Sequence, residues 1–467
     1  MTDKRLDSLA RLRDETWDVL VVGGGINGAG IARDLMLREA GLKVALVEKN
    51  HFSSGTSGRN SQLIHGGLRY LKYFDFGLVS DALHERATLL KIAPGLVEPL
   101  QFLIPCYSTF DRWFYGAGLM LYDALAGSRS IGNHRAVSGA EAARLEPGLA
   151  HDGLRAGLLF FDGKVNSARL VIENILDAEK RGACVVNYAD VRRSSGVAEI
   201  HDRLGHQSFP LRARKIVDAT GAWASGDGAK LRLVRGSHLI YPRIQTGHEA
   251  IAYFDEQGRI IFLIPWGEND DLTLVGTTDA DHTDGPDNVR ISDSEKSYLK
   301  AIVGRLFPSF TGEPVTSYSS LRPLIEESGT SATATSREHR IWETQDGTLH
   351  ISGGKYTTYR EMSEELVDTL LADVRPGRDL PCRTAQIPLQ TVTPPRETVA
   401  RIRMAVEREY ARRLEDLLYI STYWGHERHL TAAWLEPIAR EMGGLLGWTG
   451  EEIRSEVSTC LMRQGTA

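Results

Sequence analysis

DVLVVGGGINGAGIARDLMLREAGLKVALVEKN, Asp18 to Asn50, is the stretch from which the fold is read. Val19 to Val22 form a short apolar run that ends in glycine, and Asn27 to Arg38 read as a helix. Gly41 stops that helix, and Val44 to Val47 read as a second buried strand. Gly23, Gly25 and Gly28 match G-x-G-x-x-G at the strand-to-helix turn. The first glycine permits the tight turn, the second a close approach of pyrophosphate to backbone, and the third close packing of helix on strand. Ile26 and Asn27 open the helix, whose N-terminus offers N–H groups and a partial positive charge to a phosphate. Glu48 ends the second strand, 20 residues after Gly28, where a carboxylate accepts bonds from ribose hydroxyls; Lys49 follows it. A glycine-rich turn that only packs helix on strand is the competing reading. The two flanking strands and the acid at this distance favour a dinucleotide.

A nicotinamide enzyme would normally continue with alternating strands and helices. Here the acid is followed by NHFSSGTSGRNSQLIHGGLRYL, rich in Ser, Thr, Asn and Gly. Such a loop donates hydrogen bonds along an extended pyrophosphate and ring system, which favours FAD. Further on, KIVDATGAW (Lys215 to Trp223) reads as a buried strand ending in Thr220-Gly221. Gly258 to Asp279 reads as two antiparallel strands joined by GENDD. RWFYGAGLMLYDAL, Arg112 to Leu125, is aromatic and apolar. Contact with a membrane surface is one reading of it; packing against the substrate-binding part is favoured. PLQTVTPPR, Pro388 to Arg396, reads as a linker. Beyond it Ile402, Val406, Tyr410, Leu414 and Leu417 recur at helical spacing.

The chain has 467 residues, enough for two or three domains, and no internal repeat. Hydrophobic and charged residues make up 42% and 25%, as in ordinary globular proteins. A net charge of -6 argues against a nucleic-acid partner. Cys106, Cys184, Cys382 and Cys460 are too few and too scattered for a disulfide framework or a zinc site, so no metal is expected. That usage fits a reducing compartment. No apolar run approaches the roughly 18 residues needed to span a bilayer, and the charged N-terminus does not resemble a secretory signal. The expected location is cytoplasmic, with peripheral contact at the inner face of the cell membrane left open.

The stretches VVGGGINGAGIARD, LIHGGLRYL, LVSDALHERATLLKIAP, RGSHLIYPR, RIIFLIPW with VGTTD, YSSLRPL and GGKYTTYREM extend through roughly residues 17 to 370. Together they resemble the FAD-dependent glycerol-3-phosphate dehydrogenases, within the D-amino-acid-oxidase-like flavoproteins. The resemblance implies an α/β fold with a discontinuous Rossmann-type FAD-binding domain (16–75, 150–234, 345–387). It implies an antiparallel-sheet substrate domain (76–149, 235–344) and a short C-terminal helical domain (388–467). Gly23, Gly25, Ile26, Asn27, Gly28, Glu48 and Lys49 would hold the adenosine diphosphate end of FAD. Thr56, Ser57, Ser61, Leu63, Thr220 and Gly221 would line its pyrophosphate and flavin, and Gly354, Lys355 and Thr357 would return to the pyrimidine edge. Arg69, Tyr70, His238, Arg322 and Lys355 match substrate-pocket positions, and His65 one close to the isoalloxazine.

As chemistry, Gly66 and Gly67 carry no side chain, so their backbone is expected to lie against the flavin. Arg69, Arg322 and Lys355 are three cations from distant segments, suited to a substrate phosphate. Lys355 placed at the pyrimidine edge would instead stabilise charge developing on the ring. The expected reaction is oxidation of a phosphorylated secondary alcohol such as sn-glycerol 3-phosphate to the ketone. His65 and His238 are both candidate bases. The acceptor, quinone or oxygen, stays open, as does a homo-oligomer. An amine or amino-acid oxidase of the same fold, another phosphorylated polyol, and a flavin-binding protein without turnover are the alternatives. The chain departs from the family in three places. Gln62 stands where Lys or Arg is usual, part of the helical cap is missing near 388–403, and LEDLLYISTYWGHERH replaces an arginine-rich stretch.

Overall fold

A computed structural model describes residues 4–73, 75–194, 197–224, 230–326 and 337–465. The strand Thr16–Val22 is the centre of the first sheet. Val44–Val47 pairs with it in parallel on one side and Ser208–Asp218 on the other. Cys184–Val186 and Leu349–Gly353 continue the parallel order outward, and His339–Glu343 closes one edge antiparallel. All four residues of Val44–Val47 are buried, as a parallel strand covered on both faces requires. The helices Ile26–Leu37, Ser167–Lys180 and Tyr359–Val374 supply cover for one face. The first of them sits close because of Gly28: a Cβ there would lie 1.9 Å from the Gly23 carbonyl oxygen.

The second sheet is larger and mainly antiparallel, built around Leu231–Pro242, Leu272–Gly276, Ile260–Trp266 and Ala250–Phe254. It continues through Val97–Cys106 to Ala156–Val165 and Leu63–Ile64. Thr316–Ile325 pairs with residues Leu231 to Ile240 of Leu231–Pro242. Several strands fall outside the expected segments. Ala156–Val165 and Leu63–Ile64 belong to the second sheet, and His339–Glu343 to the first. Only after Asn166 caps the helix Ser167–Lys180 does the chain return to the first layer. The three-part division of the chain is kept as a proposal, with its edges moved accordingly.

The tail is helical but not one helix. Ile402, Val406, Tyr410, Leu414 and Leu417 are all buried, yet the first helix ends at Glu407 and Tyr410 adopts φ +66°. Tertiary contacts override the periodicity. Glu409 is drawn between the buried guanidiniums of Arg169 and Arg401. The Tyr410 hydroxyl reaches Glu179, and Lys4 lies 3.9 Å over its ring. A π-turn at Leu417–Ser421 leads into the helices Ala432–Leu446 and Gly450–Gly465.

The aromatic stretch forms the helix Thr109–Ala126. Leu119, Tyr122 and Ala126 pack inward, and Tyr115 stacks on Phe254. The expected packing is thus met by one face only. Trp113 and Phe110 are 74% and 71% exposed, and Phe114 and Met120 also face outward. No helix among the described residues is long and apolar enough to cross a membrane. The four cysteines are free.

Candidate functional site

One cavity of about 720 Å³ runs from the glycine turn to the second sheet. At its nucleotide end Gly23 has φ +111°, and a Cβ there would meet the Ala219 carbonyl oxygen at 2.5 Å. Glu48 accepts from the Gly24 N–H at 2.7 Å and from the Asn50 N–H at 2.8 Å. Burial raises its pKa, and those two bonds oppose the shift. Each carboxylate oxygen keeps a further lone pair for a ribose hydroxyl. The Ile26 N–H at the helix start donates to the Ser57 hydroxyl at 2.9 Å, and the Thr56 hydroxyl donates to the Leu321 carbonyl at 2.5 Å. Asn27, Lys49, Thr220 and Gly221 also line this part, and Ser61 and Leu63 line the cavity beyond it.

The far end gathers His65, Gly67, Arg69, Tyr70, His238, Arg322, Gly354 and Lys355 from remote parts of the chain. Three expected contacts lie behind the wall instead. Gly28 serves the helix-strand contact. The Thr357 hydroxyl straps the His65 backbone, accepting its N–H at 3.1 Å and donating to its carbonyl at 3.2 Å. Gly66 faces the protein: a Cβ there would lie 2.5 Å from both Leu83 Cδ2 and the Tyr122 hydroxyl. Its missing side chain makes room for these two helices, not for a ring in the cavity. Gly67 does line the cavity, at φ +84°, where a Cβ would meet Tyr70 at 2.4 Å.

Two residues missed in the sequence organise the cations. Asp279, which ends VGTTD, is buried and accepts from Arg69 Nη1 at 2.8 Å and Arg322 Nη1 at 3.1 Å. Arg337 Nη2 approaches the same carboxylate at 3.4 Å. Burial pushes the Asp279 pKa up, but Arg322, Arg69 and Arg337 together hold it below the usual carboxylate range. Arg337 is itself buried, and its Nε and Nη1 have no hydrogen-bond partner among the described residues. Unpaired buried donors of this kind are costly, and Arg337 lines the cavity. The VGTTD run marked Asp279 only as the end of a strand, and no motif surrounds Arg337.

Burial pushes the His65 pKa down to about 3, with Lys355, Arg69, Arg322 and Arg86 adding to it. His238 is likewise lowered by burial and then Arg322, to about 3. Both rings are therefore neutral near pH 7. His238 Nε2 lies 2.9 Å from the Ser61 hydroxyl and its Nδ1 has no partner. Lys355 donates to the Leu78 carbonyl at 3.2 Å and sits 4.1 Å over the Tyr70 ring. Burial lowers its pKa to about 7. Gln62, at the position where a cation is usual, is buried at φ +56°. Its amide oxygen accepts from the Ser167 N–H at 3.0 Å and from the Tyr423 hydroxyl at 3.4 Å. It ties the loop to the tail.

These residues fit FAD: a glycine turn and an acid for the adenosine end, hydroxyls and backbone between, and apolar Leu63, Phe160 and Phe262 beside the cations. The model of the FAD dependent oxidoreductase family matches residues 18–375. A curated relative, the aerobic glycerol-3-phosphate dehydrogenase of Staphylococcus aureus (strain USA300), is 35% identical over 408 residues, covering 82% of this chain and 72% of that one. The structure of a glycerol-3-phosphate dehydrogenase from Bacillus halodurans complexed with FAD aligns with a TM-score of 0.80 at 25% identity, over 100% of this chain and 98% of that one. An L-alpha-glycerophosphate oxidase from Mycoplasma pneumoniae shares the fold, with a TM-score of 0.62 at 19% identity over 81% and 100% of the two chains. The chain belongs to the FAD dependent oxidoreductase family.

Asp279→Asn should leave three guanidiniums without their shared carboxylate. Stability is expected to fall by about 3 kcal/mol, measured by thermal unfolding. Added inorganic phosphate should restore more of the melting temperature in the variant than it adds to the wild type. An unchanged melting temperature would contradict the organising role of Asp279.

Proposed function

We propose that the protein oxidises sn-glycerol 3-phosphate to dihydroxyacetone phosphate with FAD. The observation that carries this reading is the gathering of Arg69, Arg322 and Arg337 on one buried carboxylate at the far end of the cavity from the glycine turn. Three guanidiniums gathered at one carboxylate suit an anionic group on the substrate, and Arg337 is among the residues that would meet it. Bound FAD supplies the hydride acceptor. The protein orients the substrate carbon and removes the hydroxyl proton. His238 is read as the acceptor for that proton: burial, and after it Arg322 alone among the charged groups, opposes its charging. His65 is opposed by four cations. Lys355 adds positive charge beside Tyr70. An amino-acid oxidase needs one cation for a carboxylate, and this cluster exceeds that.

The electron acceptor in this reading is a quinone reached at a lipid surface. The exposed Phe110, Trp113, Phe114 and Met120 form an apolar face of the kind that rests in a membrane interface. This face supports reading the protein as a peripheral enzyme on the inner face of the cell membrane.

Anaerobic addition of glycerol 3-phosphate should bleach the bound flavin, whereas amino acids should leave it oxidised; the opposite result would refute the reading. Arg337→Ala should raise KM by about 10- to 100-fold, as expected for losing a charged hydrogen bond of about 1.5–3 kcal/mol. Because burial lowers Lys355, its charge is lost as pH rises through about 7. kcat/KM should therefore fall on the alkaline side of neutrality, and Lys355→Arg should move that limb upward; a limb that stays in place counts against Lys355. With both histidines at about 3, neither contributes an acid limb near neutrality. Trp113→Ser should weaken co-sedimentation with phosphatidylglycerol vesicles about tenfold, the loss of roughly 1.5–3 kcal/mol of apolar burial. Equal binding of variant and wild type would rule out this face.

A further inference from the structure

The turn that carries His65 is held by Tyr122, which lies behind the cavity wall, and by Asp162, which is part of that wall. The Gly66 N–H donates to the Tyr122 hydroxyl at 2.9 Å and, more weakly, to Asp162 Oδ1 at 3.3 Å. Tyr122 in turn donates to Asp162, 2.8 and 2.9 Å from its two oxygens. Arg86 Nη1 completes the set, 2.7 Å from Asp162 Oδ1. All three side chains are buried. Nothing in the reaction proposed above consumes them, and packing alone does not need a hydroxyl aimed at one backbone amide. The contact is so close that any Cβ at Gly66 would displace it.

We propose that Tyr122 is a positioning residue: its hydroxyl, anchored on Asp162, holds the Gly66 amide and so fixes the backbone between His65 and Gly67 on the cavity wall. Gly66 has no side chain to lodge in a pocket, so its amide is where a neighbouring element can take hold of it. The Thr357 hydroxyl holds the adjacent residue from the other side. The two hydroxyls grip the same His65–Gly66 peptide, one at its carbonyl and one at its N–H, and His65 and Gly67 on either side line the cavity. A backbone wall held to a fraction of an ångström matters here, because displacements near 1 Å can cost on the order of 100-fold in rate.

The inference rests on the reading of the cavity as the FAD and substrate site. Its test uses the FAD-loaded full chain carrying Tyr122→Phe. Without substrate, the visible absorption band of the bound flavin should shift, since the wall beside it moves. With glycerol 3-phosphate under anaerobic conditions, the limiting rate of bleaching should fall at least about tenfold, with KM unchanged. An unchanged rate and spectrum, or a raised KM at full limiting rate, overturns the proposal. If Tyr122→Phe does not retain FAD, Asp162→Asn takes its place, and the same outcomes decide. If glycerol 3-phosphate fails to bleach even the wild type, the substrate reading has failed, and the band shift alone decides the role of Tyr122.

Discussion

One buried carboxylate sets the character of the cavity. Without Asp279, Arg69, Arg322 and Arg337 would repel one another across a region where water screens poorly. With it, three guanidiniums are held in place before any ligand arrives, in an arrangement that favours an anion. Asp279 follows the strand Leu272–Gly276, and Arg322 lies on Thr316–Ile325; both strands flank Leu231–Pro242, which carries His238. A Cβ at Gly276 would lie 2.2 Å from the His238 ring, so the imidazole lies across a neighbouring strand that has no side chain there. The second sheet thus sets Arg322, His238 and Asp279 in one layer.

The opening strand-helix-strand of the first sheet was readable almost residue by residue. Val44 to Val47 form the strand as expected, and the helix spans Ile26–Leu37 against an expected Asn27 to Arg38. Apolar runs, a glycine turn and an acid at fixed spacing are local signals, and local signals survive in a linear text. The antiparallel pair Ile260–Trp266 and Leu272–Gly276 was legible for the same reason.

What stayed hidden was non-local. Arg337 has no motif around it, and its importance appears only when Asp279, 58 residues away, is placed beside it. A sequence records that Gly66 lacks a side chain but not which neighbour needs the space; the neighbours are Leu83 and Tyr122, not a ring in the cavity. In the tail, five apolar residues at helical spacing are all buried although the helix breaks among them, because Glu409 and Tyr410 answer to partners more than 200 residues earlier. Periodicity reports which side chains are inside, and it is silent on what they meet there.

The tail's grip on the rest of the chain bears on how the gene can be cut. Arg408 bonds Glu173, the Asn187 amide bonds the Tyr410 carbonyl, and Tyr188 bonds Asp416. His426 lies among the rings of Trp266, Tyr318 and Tyr419, and Tyr318 in turn faces His238. Truncation at the proline-rich linker would therefore uncover carboxylates and aromatic rings on the catalytic part and not release an independent module. A shorter form of the chain would have to lose outer helices while keeping the inner turn that touches the sheet.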